Sequence, residues 1–159
     1  MTNKTIIING KEYYTYATVE DADEYFAANY GGEWENISEN QKQKLLITAT
    51  RVIDRKDYQG EKADENQPLK FPRVINGKET SEQTLIIACS ELAADIYSDN
   101  GIDPVNNIKS VSLGDSSISF SEGEKKECED DLIIERYLSD YLMGGVRVIL
   151  WHFNKPMQH

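Results

Sequence analysis

Ser38-Glu39-Asn40-Gln41-Lys42-Gln43-Lys44-Leu45-Leu46-Ile47-Thr48-Ala49-Thr50-Arg51-Val52-Ile53-Asp54 is the stretch with the clearest period in the chain. Leu45, Leu46, Ala49, Val52 and Ile53 recur at steps of three and four, and Ser38 with Gln41 forms a capping signature ahead of them. The pattern predicts an amphipathic helix from Ser38 to about Tyr58, whose apolar stripe needs other elements to cover it.

Toward the N-terminus, Thr18 with Asp21 three residues on precedes Val19, Ala22, Tyr25, Phe26 and Asn29, a second helical stripe that Gly31-Gly32 terminates. Before it, Thr5 to Tyr14 reads as two β-favouring runs around Asn9-Gly10, a pair suited to a type I′ hairpin turn. Toward the C-terminus, Gly60 to Gly77 shows no period, carries Pro68 and Pro72, and predicts a long ordered loop with Leu69 and Phe71 tucked beneath it. Thr80 and Ser81 open a third helix to about Asn100, broadly apolar through Leu85, Ile86, Ala88, Cys89, Leu92, Ala93, Ile96 and Tyr97. The run Ser110 to Phe120 alternates around Gly114-Asp115 and predicts a protruding hairpin with Val111, Leu113, Ile118 and Phe120 on one side. A charged link, Glu122 to Asp131, leads into a fourth helix from Leu132 to Leu142, stopped by Gly144-Gly145. The tail from Val146 is apolar and β-prone as far as Phe153.

The expected fold is therefore α+β and mainly α: a four-helix core with an N-terminal β-hairpin, a second protruding β-hairpin and an extended C-terminal tail. The length, 159 residues, suits one domain over 1–145 followed by the tail over 146–159.

Charge narrows the function. Seventeen Lys and Arg stand against 28 Asp and Glu, a formal net charge of −11, which opposes tight binding to phosphate backbones unless the cations gather on one face. Cys89 and Cys128 lack metal or redox spacing and read as reduced thiols in a cytosolic protein. The opening residues show no secretory-leader pattern, and apolar runs such as Val148 to Trp151 are far too short for a membrane helix. Both histidines, His152 and His159, fall in the tail, a poor support for a catalytic constellation. Asp99 to Asp103 lacks the glycine and final glutamate of a calcium loop, and Gly10-Lys11 and Gly77-Lys78 are followed by Glu where a phosphate loop needs Ser or Thr. The acidic clusters at Glu20 to Glu24 and Glu127 to Asp131 suit helix starts, where the macrodipole favours carboxylates. These patterns predict no catalytic residue, no cofactor and no metal site.

One basic-aromatic cluster stands out: Arg51, Arg55, Lys56, Tyr58, Lys62, Lys70, Phe71 and Arg73, around the end of the second helix and its loop. Cations interleaved with aromatics can bind single-stranded DNA. The same residues also fit a helix C-terminus that welcomes cations, followed by an apolar hook.

Three phrases carry a resemblance: Tyr16-Ala17-Thr18-Val19-Glu20-Asp21-Ala22-Asp23-Glu24-Tyr25-Phe26, Ala49-Thr50-Arg51-Val52-Ile53-Asp54, and Gln67-Pro68-Leu69-Lys70-Phe71-Pro72-Arg73. In this order and spacing the chain resembles a phage family of head-to-tail connector (adaptor) proteins, also labelled DnaT-like single-stranded DNA-binding proteins. The similarity runs on through the third and fourth helices to Gly144-Gly145-Val146-Arg147-Val148; Phe71 stands where many relatives carry Trp, and Ile149 to His159 extends past the usual stop.

The resemblance implies a structural virion protein, not an enzyme. It would form a homo-oligomeric ring of about twelve copies on the portal protein, link it to a tail or stopper protein, and let packaged DNA pass without specific binding. Its place would be the virion neck, after assembly in the host bacterial cytoplasm, with no membrane contact. In this reading Val111, Leu113, Ile118, Phe120, Trp151 and Phe153 form the partner interface. The alternative is a single-stranded DNA-binding replication accessory protein using Arg51, Arg55, Lys56, Tyr58, Lys70 and Arg73. A third possibility, an acidic mimic of DNA, would need carboxylates regularly spaced on one surface, and the sequence shows only short clusters.

Overall fold

The chain opens on a hairpin, β1 (Lys4–Ile8) paired antiparallel with β2 (Lys11–Thr15), with Ile6 opposite Tyr13 and Ile8 opposite Lys11. Asn9 and Gly10 both take positive φ, 52° and 77°, the conformation that lets a two-residue loop follow the strand twist. The computed structural model describes residues 3–29, 33–100 and 132–144. The expected hairpin over 110–120, the charged link and the tail, with Val111, Leu113, Ile118, Phe120, Trp151 and Phe153, lie outside the described residues.

Helix α1 (Val19–Ala28) starts at a reciprocal capping box. Thr18 Oγ1 accepts from the Asp21 N–H at 3.2 Å, and Asp21 Oδ2 accepts from the Thr18 N–H at 2.9 Å. A 3₁₀ turn (Trp34–Asn36) leads to α2 (Glu39–Asp54), where Ser38 Oγ accepts from the Gln41 N–H. The helix stops at Asp54, short of the expected Tyr58. After Arg55 the chain turns back, and the Tyr58 hydroxyl donates to the Ile53 carbonyl at 2.7 Å, satisfying a helix-end acceptor from outside the helix.

The segment expected to be a loop contains a sheet. β3 (Glu61–Lys62), β4 (Arg73–Ile75) and β5 (Lys78–Glu79) form an antiparallel sheet in sequential order. Asn76 and Gly77 turn the second hairpin with φ of 52° and 77°, repeating the Asn9-Gly10 device. Leu69 and Phe71 do pack inward, Phe71 completely. Helix α3 (Glu82–Asn100) follows, and α4 covers residues 132–138. The fourth helix ends four residues before the expected Leu142, because residues 141–143 leave it to bond with residues 57–59. Tyr141 O accepts from the Gln59 N–H at 2.8 Å, and the Met143 N–H donates to Asp57 O at 3.0 Å.

Among the described residues the architecture is thus α+β, with four helices and two small antiparallel sheets. Helices α1, α2 and α3 pack on one another, and β2 lies on α2. Thr50 joins hairpin to helix: its hydroxyl lies 3.0 Å from that of Thr15 and accepts from the Tyr16 N–H at 3.1 Å. Leu46, Ile53, Leu85, Leu92, Ile134 and Leu138 are fully buried, each side chain contributing about 2 kcal/mol of transfer free energy.

Candidate nucleic-acid interface

Phe71 sits at the centre of the predicted cluster. Its ring meets Tyr58 at 4.6 Å, Tyr16 at 5.8 Å in an edge-on arrangement, and Tyr141 at 5.8 Å. These rings hold the loop to the core by burying apolar area with favourable quadrupole geometry. The backbone is fixed as firmly. The Phe71 N–H donates to the Tyr16 hydroxyl at 3.2 Å, that hydroxyl donates to the Asp54 carboxylate, and the Lys70 N–H reaches both Asp54 oxygens at 3.3 and 3.4 Å.

Asp54 is largely out of water. Burial pushes its carboxyl pKa upward, against the opposing pull of the Tyr16 hydroxyl and the Lys70 N–H. Burial and the neighbouring carboxylate drive the Tyr16 phenol far upward, so it remains a donor across the ordinary pH range.

The cations of the loop turn inward to backbone oxygens. Arg73 donates from Nε to Gln59 O at 2.8 Å and from Nη2 to Gly60 O at 2.7 Å, with longer bonds to Tyr58 O and Lys70 O. Lys70 Nζ donates to Lys56 O and lies 3.8 Å from Asp57. Tyr58, Lys70 and Arg73 are therefore brought together as the fastening of the loop. Tyr58 is only 4% exposed and presents no ring face for a base to stack on.

Arg51 and Arg55 are placed differently, on the solvent side of α2, while Lys56 is half-buried beside the loop and lends its carbonyl to Lys70. Lys44 and Thr48 are exposed too, so positions 44, 48, 51 and 55 follow one another at helical steps along a single outer face. Salt bridges among the described residues include those of Lys4 with Asp21 and Glu82, Lys42 with Asp23 and Lys70 with Asp57, away from this face.

A family model described as "Putative DnaT-like ssDNA binding protein" matches residues 8–148. The chain belongs to that family. No curated protein and no solved structure matches it. The family description agrees with the DNA-binding alternative drawn from the sequence and names a binding protein, not an enzyme.

In this DnaT-like chain, sequence reading overlooked Lys44, Tyr16 and Asp54. Lys44 was findable, since it lies seven residues before Arg51 on the polar side of the same helical period. Tyr16 and Asp54 gave no such signal, because their pairing joins positions 38 residues apart. Among the described residues no group of His, Cys, Asp and Glu is placed to hold a metal ion, and no helix is long and apolar enough to cross a membrane.

Proposed function

We propose that this protein binds single-stranded DNA. The reading is carried by the match of 141 residues, 8 to 148, to a family described by that activity. It is supported by exposed cations on α2 that make no salt bridge to a described residue. The net charge of −11 opposes such binding and keeps it weak, and the cation–phosphate contacts that form make it weaken with salt, consistent with a replication accessory that engages exposed strands transiently. Fluorescence anisotropy of a labelled oligothymidylate tests it: anisotropy should rise with protein at low salt and fall back as salt is added. No rise at low salt would overturn the reading.

A second reading is favoured by a separate observation. The aromatics and two of the cations expected to grip DNA, Lys70 and Arg73, are spent on the fold, and the chain as a whole repels phosphate. Both suit a ring through which DNA slides, the head-to-tail connector of the phage resemblance. That reading has copies of the chain seated on a portal protein in the virion neck and joined to a tail or stopper protein, with Val111, Leu113, Ile118, Phe120, Trp151 and Phe153 as contacts. Size-exclusion chromatography with light scattering, on this protein mixed with the portal protein, tests it. A mass gain equal to a whole ring of these chains supports the connector, and separate elution at low and high salt removes it.

A further inference from the structure

We propose that the outer face of α2, formed by Lys44, Thr48, Arg51 and Arg55, is a phosphate track that reads neither bases nor strandedness. The inference rests on the DNA-binding reading and specifies the chemistry of the contact.

The four residues are spaced by four, three and four positions and all are exposed, whereas Leu46, Ala49, Thr50 and Ile53 on the opposite side are buried and buried Ile47 and Val52 border the strip. At a rise of 1.5 Å per residue the track is about 16 Å long, with Arg51 and Arg55 about 6 Å apart, so long side chains can reach successive phosphates. Guanidinium groups suit phosphate oxygens because they can donate two parallel hydrogen bonds, while the Thr48 hydroxyl between them donates to the Lys44 carbonyl at 2.8 Å and leaves the contact to the cations.

None of Lys44, Arg51 and Arg55 forms a salt bridge with a described residue, although the chain carries a large excess of carboxylates. Binding a phosphate there breaks no ion pair among the described residues.

Single-strand binders gain sequence-tolerant affinity, and their preference for unpaired bases, from exposed aromatic rings. Tyr16, Tyr58 and Phe71, the aromatics nearest the end of α2, are all buried. Tyr14 is exposed, but it projects from the other face of β2 than Thr15, the residue that meets Thr50 of α2. With cations and no exposed ring beside them among the described residues, this face senses charge spacing.

The test compares labelled oligothymidylate with a labelled duplex of equal length, with inorganic polyphosphate as competitor, using the full chain. For three charged contacts, log affinity should fall against log salt with a slope of about −2 on the single strand and about −2.7 on the duplex. The two affinities at low salt should agree within about fivefold, and polyphosphate should displace both. The double variant Arg51→Gln/Arg55→Gln should flatten the single-strand slope by about 1.4. Its circular dichroism and melting should match the parent, since both side chains are exposed. Binding that persists unchanged in the double variant, or that prefers the single strand by more than about tenfold, overturns the track while leaving DNA binding intact. Failure of the parent to bind either DNA overturns the DNA-binding reading, and the track with it.

Discussion

Tyr16 donates its phenolic hydrogen to the carboxylate of Asp54, tying the end of the N-terminal hairpin to the last turn of α2. The same hydroxyl accepts from the Phe71 N–H, so one side chain links three stretches of chain. Tyr16→Phe removes a buried acceptor and donor together and should cost about 1–3 kcal/mol in urea denaturation.

Asp54 should also give the stability a pH dependence of unusual sign. Its pKa is raised in the folded chain relative to 3.8, so between 3.8 and the folded value the native state holds more proton than the unfolded one. Stability from this group therefore falls as pH rises through that window. Asp21 acts oppositely: partial burial pushes its pKa up, but bonds from Thr18 and the Lys4 ammonium outweigh it, and the value is lowered. Its contribution is present above 3.8 and is lost as pH falls toward the folded value. Melting temperatures of Asp54→Asn and Asp21→Asn against the parent, from pH 3 to 7, should show difference curves of opposite slope.

Gly60 and Gly77 both have positive φ, yet their substitution should differ sharply. A Cβ on Gly60 would lie 2.1 Å from the Val74 carbonyl oxygen, across the β3–β4 pairing, whereas nothing lies within 4 Å of one on Gly77. Gly77→Ala should cost about 1 kcal/mol from the left-handed conformation alone. Gly60→Ala must also displace strand backbone and should cost at least about 2 kcal/mol more. Paired denaturation curves check the difference.

Cys89 should be silent to thiol reagents until the protein opens. Burial pushes its pKa up to about 11, and its sulfur lies among Thr50, Leu46 and the helix core. In a Cys128→Ser background, Ellman's reagent should leave the native protein unmodified and react with one thiol per chain in denaturant. Rapid reaction of the native protein would contradict this packing.

The helices were legible because burial imposes a period. Thr18-Asp21 and Ser38-Gln41 marked two starts, and both caps form as the spacing predicts. The small sheet was not legible, although Asn76-Gly77 repeats Asn9-Gly10: strands of two and three residues are too short to alternate, and two prolines intervene. For the site, the exposure of Arg51 and Arg55 follows from the helical period, since neither falls on its apolar stripe. Arg73 and Lys70 could not be, because their partners are carbonyls of residues 56–60, which only the path of the chain brings within reach. Tyr58 continued the helical period in sequence, and nothing local shows that the chain abandons the helix four residues earlier.

The turn at 141–143 that bonds to residues 57–59 bears on how the protein is made. Tyr141 forms one wall around Phe71, and Leu142 forms a β-bridge with Tyr58. During synthesis the hairpin, α1, α2 and α3 all emerge before that wall exists. At about 5–20 residues per second, some seconds pass between the appearance of Phe71 and that of Tyr141. Through that interval a nascent chain exposes one side of its most aromatic cluster, so a stalled or shortened product ending before Tyr141 should be a client for chaperones, while the chain carried past residue 143 can close over it.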